Sequence, residues 1–247
     1  MLTGKSIIVT GSNRGIGKTI VEECAKNHAD VWACMRQVTD ENVLSMEELS
    51  KKYNVTIKAI ELDLLDKDSI KNSATEILSE KLQIDGIVNN AGATGPNRLF
   101  SMTSMEDIRE TFEVNFFGPI LFLQRFLKKM MRWRTGSIVN IASIAAIDGE
   151  PAQLEYVSSK AAMIGATRKL ASELGQFGIR VNAVAPGMTD TDMVREMDTG
   201  LMEKTLDRTM MHRLAKAEEI AKAVVFLLSD QSAFITGQTI RVDGGAM

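Results

Sequence analysis

Tyr156 and Lys160 have the residue types and spacing most suggestive of chemistry in this sequence of 247 residues. They are four residues apart on a predicted helix, so their side chains share one face. A free tyrosine, with a pKa of about 10, is a poor acid or base at neutral pH. A neighbouring ammonium lowers that pKa and makes the phenol usable for proton transfer. The same spacing also occurs in ordinary surface pairs, so it needs support from other residues.

Ser143 supplies that support. It lies thirteen residues before Tyr156 and directly follows a predicted strand that ends at Ile141. In open α/β sheets, ligands bind beyond the carboxyl ends of the strands. The Ser143 and Tyr156 hydroxyls are therefore expected to face one substrate carbonyl. This predicts a group that binds a carbonyl oxygen and exchanges a proton with it.

A glycine-rich turn follows the first predicted strand and opens the first predicted helix. Such a turn lets the backbone approach a pyrophosphate, which then lies at the positive helix end. The spacing is G-x-x-x-G-x-G, which differs from the commoner dinucleotide motif, and glycine-rich turns also occur in many loops. Its position in the first strand–helix unit favours nucleotide binding. The residues expected to contact the cofactor here are Gly11, Asn13, Arg14, Gly15, Ile16 and Gly17.

Short β-branched runs alternate with longer amphipathic stretches along the chain. The predicted strands are Ser6–Thr10, Asp30–Met35, Thr56–Leu62, Gly86–Asn89, Ser137–Ile141, Arg180–Val184 and Thr239–Val242. The predicted helices cover residues 15–27, 41–52, 67–81, 104–131, 155–177 and 217–229. This alternation predicts one α/β domain over residues 1–247, a Rossmann-like doubly wound parallel sheet of about seven strands with helices on both faces.

The composition excludes several classes of protein. Hydrophobic residues make up 45%, charged residues 25%, and the net charge is −3 without a basic block. We therefore expect neither nucleic acid nor an anionic membrane as a partner. The apolar run Phe116–Leu127 is interrupted by polar residues and is shorter than the roughly 20 residues that span a bilayer.

Cysteine and histidine usage gives two more expectations. Two histidines and the separated Cys24 and Cys34 form no familiar metal motif and no disulfide framework, so we expect no metal and two buried free thiols. Residues Met1–Ser6 lead directly into the apolar triplet Ile7–Val9, which is too short for the apolar part of a signal peptide. Together these features predict a cytoplasmic protein.

Residues 190–213 fit the periodic pattern poorly. Met193, Met197, Met202, Met210 and Met211 lie among many charges there. Methionine adapts to irregular contacts, so we predict a mobile substrate flap. An ordinary pair of surface helices is the alternative.

These motifs together resemble the classical short-chain dehydrogenase/reductase family, in order and spacing, over essentially the whole chain. The motifs are the glycine turn, Asn89-Asn90-Ala91-Gly92, Asn115, Ser143, Tyr156-x-x-x-Lys160 and Pro186-Gly187. The resemblance implies that Ser143 binds the substrate oxygen and that Lys160 also holds the nicotinamide ribose. It further implies that Asn115 keeps a long helix bent and supports a proton-relay water.

The choice of nicotinamide cofactor depends on the end of the second strand. Met35 stands where an acid that selects NAD is expected, and Arg36 follows it. A guanidinium there can bind the 2′-phosphate of NADP in a forked pair, and Arg14 resembles a second basic residue of NADP-using relatives. Both arginines are otherwise solvated charges. The sequence thus predicts NADP(H).

The resemblance adds further cofactor contacts along the strand ends. Asp63 and Leu64 correspond to the adenine-contacting turn, although Asp63 also suits a helix cap, in competition with Asp66. The other implied contacts are Asn89, Ala91, Gly92, Pro186, Gly187, Thr189 and Thr191, the last two at the nicotinamide carboxamide.

The C-terminal half resembles the 3-oxoacyl-[acyl-carrier-protein] reductases of that family most. Arg134, beside Arg132, matches a basic position that docks the acidic carrier protein. A second such position has Ser172 instead, which Lys169 and Arg168 compensate in part. The substrate is thus predicted to be a 3-oxoacyl thioester of fatty-acid synthesis.

Other functions remain open. A sugar, polyol or other small secondary alcohol is the alternative substrate, because the family shares its catalytic residues across these. A non-catalytic NADP-binding scaffold is disfavoured because Ser, Tyr and Lys are all present. The resemblance also implies a homotetramer that pairs through the helices at 104–131 and 155–177, with a dimer remaining possible. Phe116, Phe117, Phe122 and Phe126 would then lie partly at the interface or in the core.

Overall fold

The computed structural model describes residues 1–95, 97–149, 152–191, 202 and 206–246. Seven strands form one parallel sheet in the order β3-β2-β1-β4-β5-β6-β7. They are β1 Ser6–Thr10, β2 Asp30–Met35, β3 Ile57–Glu61, β4 Gly86–Asn89, β5 Gly136–Ile141, β6 Ile179–Pro186 and β7 Thr239–Val242. The predicted doubly wound sheet is confirmed. Its order reverses between β1 and β4, where such folds bind their ligands.

Helices cover both faces of the sheet. They are α1 Gly15–Lys26, α2 Asp40–Tyr53, α3 Lys67–Ser79, α4 Met105–Phe112, α5 Gly118–Trp133, α6 Ala145–Asp148, α7 Leu154–Leu174 and α8 Ala217–Leu228. Thr39, Asp66 and Ser104 cap α2, α3 and α4 by accepting backbone N–H bonds. Asp66 is thus the cap of α3, which leaves Asp63 free of that role.

The core divides into two layers because successive strand side chains point to opposite faces. In β1, Ile7 and Val9 belong to the layer with α1 and α8, whereas Ile8 belongs to the layer with α3 and α5. Phe122 and Phe126 are fully buried in the second layer, with ring centroids 5.0 Å apart. These two aromatics are therefore intramolecular core, while Phe117 remains half exposed.

The predicted helix at 104–131 is interrupted. A π turn, Glu113–Phe117, separates α4 from α5, and α5 continues to Trp133. Gly118 packs so closely that an added Cβ would lie 2.5 Å from the Leu64 carbonyl oxygen. The side chain of Asn115, inside the π turn, bonds outside its own helix. Periodicity did not predict the interruption because these contacts come from elsewhere in the chain.

Strand β6 is longer at both ends than the predicted Arg180–Val184. Its carboxyl half pairs with β7, with Ala183 opposite Thr239 and Pro186 opposite Val242. The residues added at the carboxyl end extend the strand to Pro186, where the segment Pro186–Thr191 begins. The predicted flap at 190–213 lies mostly outside the described residues, including Met193 and Met197.

Among the residues described, no helix is both long and apolar enough to cross a bilayer. In the same part of the chain, no three His, Cys, Asp or Glu side chains gather as metal ligands. Cys24 and Cys34 are free and buried, and burial raises the pKa of both thiols.

Candidate active site

In the glycine turn between β1 and α1, Gly11 and Gly17 have no room for a side chain. A Cβ on Gly17 would lie 2.0 Å from the Gly11 carbonyl oxygen and 2.4 Å from Asn90 Nδ2. On Gly11, it would lie 2.7 Å from Ala91 Cα. The turn is therefore packed against the loop that follows β4, and the glycines are needed for this close approach.

Asn90 and Thr10 fix the turn by hydrogen bonds. The Asn90 amide donates to the carbonyl oxygens of Thr10 and Gly11, both at 3.0 Å. The Thr10 hydroxyl accepts the backbone N–H groups of Asn90 and Ala91 at 3.1 and 3.0 Å. Sequence reasoning gave Asn90 and Thr10 no site role. The available signal was that both residues stand at the carboxyl ends of strands that become neighbours.

The N-terminus of α1 is left open toward a ligand. Its N-cap is Arg14, which makes no side-chain capping bond. The first N–H groups of the helix therefore lack the side-chain partner that α2, α3 and α4 have. Together with the glycine cradle, these donors and the helix dipole fit a pyrophosphate. Asn13 and Arg14 are exposed beside them, and Ile16 packs partly against the core.

The end of β2 is also basic. Arg36 is exposed and follows Met35, whose side chain is 1% exposed in the core. Within the described ranges, neither Arg14 nor Arg36 forms a salt bridge. Both guanidinium groups are thus available to a ligand anion.

The next two strand ends place the remaining adenine-side residues. Asp63 accepts the Leu65 N–H at 2.9 Å, and the Leu64 side chain is buried in the core. Asn89 donates to Asn140 Oδ1 at 2.8 Å, and its own Oδ1 is buried with no partner among the described residues. The side chains of Leu64 and Asn89 are therefore buried in the protein interior, and only the backbone of each residue can face a cofactor.

Ser143, Tyr156 and Lys160 come together beyond the carboxyl end of β5. Lys160 is 5% exposed and donates to the Ile141 carbonyl oxygen at 2.8 Å. Its Nζ lies 5.9 Å from the centroid of the Tyr156 ring, so the two side chains do share one helix face. The Ser143 hydroxyl accepts the Ala145 N–H at 3.2 Å and lies near enough to the Tyr156 hydroxyl to lower the pKa of that phenol. The geometry thus brings two hydroxyls and one amine into a single group.

Burial dominates the ionisation of this group. It raises the pKa of Tyr156, and the hydrogen bond with Ser143 opposes that shift. Burial also lowers the pKa of Lys160 to about 8. The expectation that Lys160 lowers the pKa of Tyr156 is therefore wrong for the protein alone. The physical reason is that desolvation penalises the charged form of each residue, while the ammonium is directed at a backbone carbonyl.

Asn115 links α7, the helix that carries Tyr156 and Lys160, to the loop after β4. Its amide donates to the Ala93 carbonyl oxygen and to the Ser159 hydroxyl at 2.8 and 2.9 Å. Its Oδ1 accepts the Ala93 N–H at 2.7 Å. A Cβ on Gly92 would lie 3.2 Å from both Asn115 Oδ1 and Lys160 Nζ. Gly92 therefore lets Asn115 and Lys160 approach the same point, and the relay water remains a prediction.

The segment after β6 crosses from the sheet edge to the glycine turn. Gly187 donates its N–H to the Val242 carbonyl oxygen at 3.0 Å, and a Cβ there would lie 2.7 Å from Asp243 Cα. The Thr189 hydroxyl donates to the Gly187 carbonyl oxygen at 2.9 Å. Thr191 Cγ2 lies 3.7 Å from the Cβ position of Gly15. The segment thus reaches the glycine turn at Gly15.

Glu155 is a residue that the sequence did not single out. It lies beside Tyr156 on α7 and is fully buried, with neither carboxylate oxygen bonded within the described part of the chain. Its Oε1 is 2.7 Å from the position that a Cβ on Gly95 would take. A buried carboxyl group without partners is costly, and no sequence pattern signalled it.

Comparison with known proteins agrees with this geometry. The family model described as Enoyl-(Acyl carrier protein) reductase matches residues 11–247. The 3-oxoacyl-[acyl-carrier-protein] reductase of Aquifex aeolicus is 38% identical over 245 residues, which cover 99% of this chain and 98% of that protein. The Thermotoga maritima reductase of the same name is 37% identical over 244 residues, with 99% and 98% covered.

Solved structures give the same picture. A 3-oxoacyl-[acyl-carrier protein] reductase from Brucella melitensis superposes with a TM-score of 0.91 at 31% identity, covering 99% of this chain and 92% of that one. Levodione reductase gives 0.93 at 27% identity, with 99% and 98% covered. The chain therefore belongs to the short-chain dehydrogenase/reductase family. As a member, it is an oxidoreductase that uses a nicotinamide cofactor, and its relatives named above include 3-oxoacyl-[acyl-carrier-protein] reductases.

Proposed function

We propose that this protein reduces a 3-oxoacyl thioester, carried on acyl carrier protein, to the 3-hydroxyacyl thioester with NADPH. The reaction would belong to fatty-acid synthesis in the cytoplasm. The observation that carries the proposal is the grouping of Ser143, Tyr156 and the buried Lys160 beyond the carboxyl end of β5, where Lys160 Nζ lies 5.9 Å from the centroid of the Tyr156 ring and donates to the Ile141 carbonyl oxygen. Near-complete alignment with reductases of this substrate supports the choice of thioester.

In the proposed reaction, the two hydroxyls act on the substrate carbonyl. Ser143 donates a hydrogen bond to the carbonyl oxygen and holds it beside Tyr156. The nicotinamide ring, when bound, supplies the hydride to the carbonyl carbon. Tyr156 gives its proton to the oxygen as charge develops there. Tyr156 carries its proton at neutral pH, as a donor in the reductive direction must; burial raises its pKa in the protein alone and so weakens it as an acid, and the hydrogen bond with Ser143 opposes that shift.

Lys160 and Asn115 have supporting roles in this scheme. Lys160 would bind the ribose of the nicotinamide half, since its Nζ already lies between Gly92 and Ile141. Asn115 fixes the loop that Gly92 belongs to. The pair would return a proton to Tyr156 after turnover, through the relay water that the family resemblance implies.

The preference for NADPH depends on Arg36 and Arg14. Both are exposed at neighbouring strand ends, while the buried Met35 offers the ribose no acceptor. A solved Brucella melitensis reductase, 30% identical, is described with bound NAD, so similarity alone does not support NADPH over NADH. The preference for NADPH is therefore inferred from the Arg14 and Arg36 guanidinium groups, which form no salt bridge within the described part of the chain.

Carrier-protein docking would use the basic residues near α5 and α7. Arg134 is exposed, with Nη2 donating to the Gln176 carbonyl oxygen at 2.9 Å, which orients its charge. Lys169 pairs with Glu173 at 2.8 Å, so it compensates less for Ser172 than the sequence suggested. Arg168 is exposed and remains the better second contact. The homotetramer remains part of the proposal on the grounds of family resemblance.

A substrate panel tests the reaction. NADPH absorbance is followed with 3-oxoacyl thioesters, on and off acyl carrier protein, and with 2-enoyl thioesters, simple ketones and keto-sugars. We expect turnover of 3-oxoacyl thioesters that increases on the carrier protein. Turnover confined to sugars or polyols contradicts the proposed substrate, and turnover of enoyl thioesters alone would reassign the reaction to carbon–carbon double bonds.

A variant tests the cofactor. Arg36→Ala should raise the KM for NADPH by roughly 10- to 100-fold, the worth of a charge-assisted hydrogen bond. It should leave the KM for NADH nearly unchanged. Arg109→Ala, which removes an exposed arginine on α4, serves as the matched control. Equal losses with both cofactors, or faster wild-type turnover with NADH, contradict the assignment of Arg36.

A further inference from the structure

Arg241, on the edge strand β7, makes four hydrogen bonds through one guanidinium. Nη1 and Nη2 bind the two carboxylate oxygens of Asp148 at 2.6 and 2.8 Å. Nε binds Asp243 at 2.7 Å, and Nη2 also donates to the Ala246 carbonyl oxygen at 2.9 Å. A forked guanidinium–carboxylate pair fixes orientation as well as distance. Arg241 therefore joins two segments that have no backbone connection nearby.

The first segment is the turn that begins at Ser143. The Ser143 carbonyl accepts the Ala146 N–H at 3.2 Å, and α6 ends at Asp148. With four residues, α6 is far shorter than a helix that is stable by itself. Its orientation must therefore be set from outside. The Ile144 N–H bond to Pro186 holds one end, and Arg241 holds the other.

The second segment is the tail at residues 243–246. Asp243 packs against Gly187, and its Oδ1 accepts the Gly245 N–H at 3.0 Å. Thr209 and Ala246 form an antiparallel bridge, and Met211 donates its N–H to the Gly244 carbonyl oxygen at 3.1 Å. The tail therefore contacts both the segment Pro186–Thr191 and residues 209–211 at the end of the predicted flap.

We propose that the pair Arg241–Asp148 is a positioning clamp for the active site. It sets the turn that carries Ser143 against the segment Pro186–Thr191 and the tail. Neither side chain touches the reacting atoms in this assignment. The clamp serves the carbonyl reduction proposed above and rests on that function. Its loss would misplace the Ser143 hydroxyl relative to Tyr156, and small misplacements of reacting groups lower kcat strongly.

Single, double and exchanged variants test the clamp. Arg241→Ala and Asp148→Ala should each lower kcat about 10- to 100-fold, with the KM for NADPH changed less than about twofold. The double alanine variant should lose no more than the worse single variant, because both remove one interaction. The exchanged pair, Arg241→Asp with Asp148→Arg, should recover part of the loss. Lys5→Ala breaks the Lys5–Asp230 ion pair at the amino end of β1, the end of the strand away from the site, and should keep wild-type kcat.

The kinetics are measured with whichever carbonyl substrate the wild type reduces fastest, so a failed thioester assay contradicts the proposed substrate without affecting this test. Backbone hydrogen exchange adds a measurement that needs no substrate. Exchange should accelerate at residues 145–149 and 209–211 in Arg241→Ala and Asp148→Ala, and should not in Lys5→Ala. Unchanged exchange there, additive losses of kcat, or a change in KM alone would overturn the clamp.

Discussion

The glycine turn and helix α7, which carries Tyr156 and Lys160, differ in how their polar groups are bonded. In the turn, the Asn90 amide and the Thr10 hydroxyl are bonded to backbone groups of the same loop region. On α7, Glu155 is fully buried with no bonded oxygen in the described chain, and Lys160 is almost fully buried. Hydrogen bonds within the protein therefore fix the shape of the turn. The catalytic helix keeps polar groups out of water at a cost in stability, as functional sites often do.

This difference predicts which property of the protein a substitution changes in each of the two regions. Burial moves the pKa of Tyr156 up and that of Lys160 down, each toward its neutral form. Changes on α7 should therefore alter chemistry or pH dependence with a small effect on shape. Changes at Gly11 or Gly17 in the turn should alter its shape first, because neither glycine has space for a Cβ.

The largest effect is expected on α7. Tyr156→Phe removes only the hydroxyl, so kcat should fall about 10²- to 10⁴-fold, the usual worth of a positioned acid. NADPH binding, followed by fluorescence, and the circular dichroism spectrum should not change. Tyr53→Phe is the matched control, since the Tyr53 hydroxyl donates to Glu22 on the far side of α1. A Tyr156→Phe variant with more than a tenth of wild-type kcat contradicts the mechanism.

An effect of intermediate size is expected in the turn. Gly17→Ala forces a methyl group to within 2.0 Å of the Gly11 carbonyl oxygen. Overpacking of this kind costs about 1–3 kcal/mol, so Tm should fall by several degrees and NADPH binding should weaken at least about tenfold. Gly175→Ala is the control, because Gly175 has φ of −56° and no atom within 4 Å of its Cβ position. Equal Tm values for the two variants would show that the turn yields easily.

The smallest effect is a pH dependence of stability. The pKa of Lys160 is about 8 in the folded protein and about 10.5 in the unfolded chain. Between these values the unfolded chain binds more protons, so this lysine makes stability rise with pH; below pH 8 its contribution is constant. Urea unfolding should show wild type gaining about 2 kcal/mol relative to Lys160→Met from pH 7 to 10. Parallel stability curves would mean that Lys160 is not desolvated as described.

The sequence predicted what depends on local spacing. The strands were visible as apolar runs, and the shared face of Tyr156 and Lys160 follows from the helical repeat. The pairing of Arg241 with Asp148, 93 residues apart, depends on the register of β7 and was not predictable. The direction of the pKa shift of Tyr156 in the protein alone was mispredicted for the same reason, since burial is a property of the assembled fold. The π turn at Asn115 likewise requires the loop after β4.

The bonds from Asn90 to the turn also have a consequence for the order of folding. Asn90 lies 80 residues after Thr10, and its side-chain amide supplies the bonds to the carbonyl oxygens of Thr10 and Gly11 in the turn. The chain must close a loop of this length, at a cost in conformational entropy, before the contact can stabilise it. Such contacts therefore form slowly. A nascent chain that has not yet added β4 to β1 would therefore contain the glycine motif without its cofactor-binding shape. Affinity for the dinucleotide should appear in one step when β4 joins the sheet.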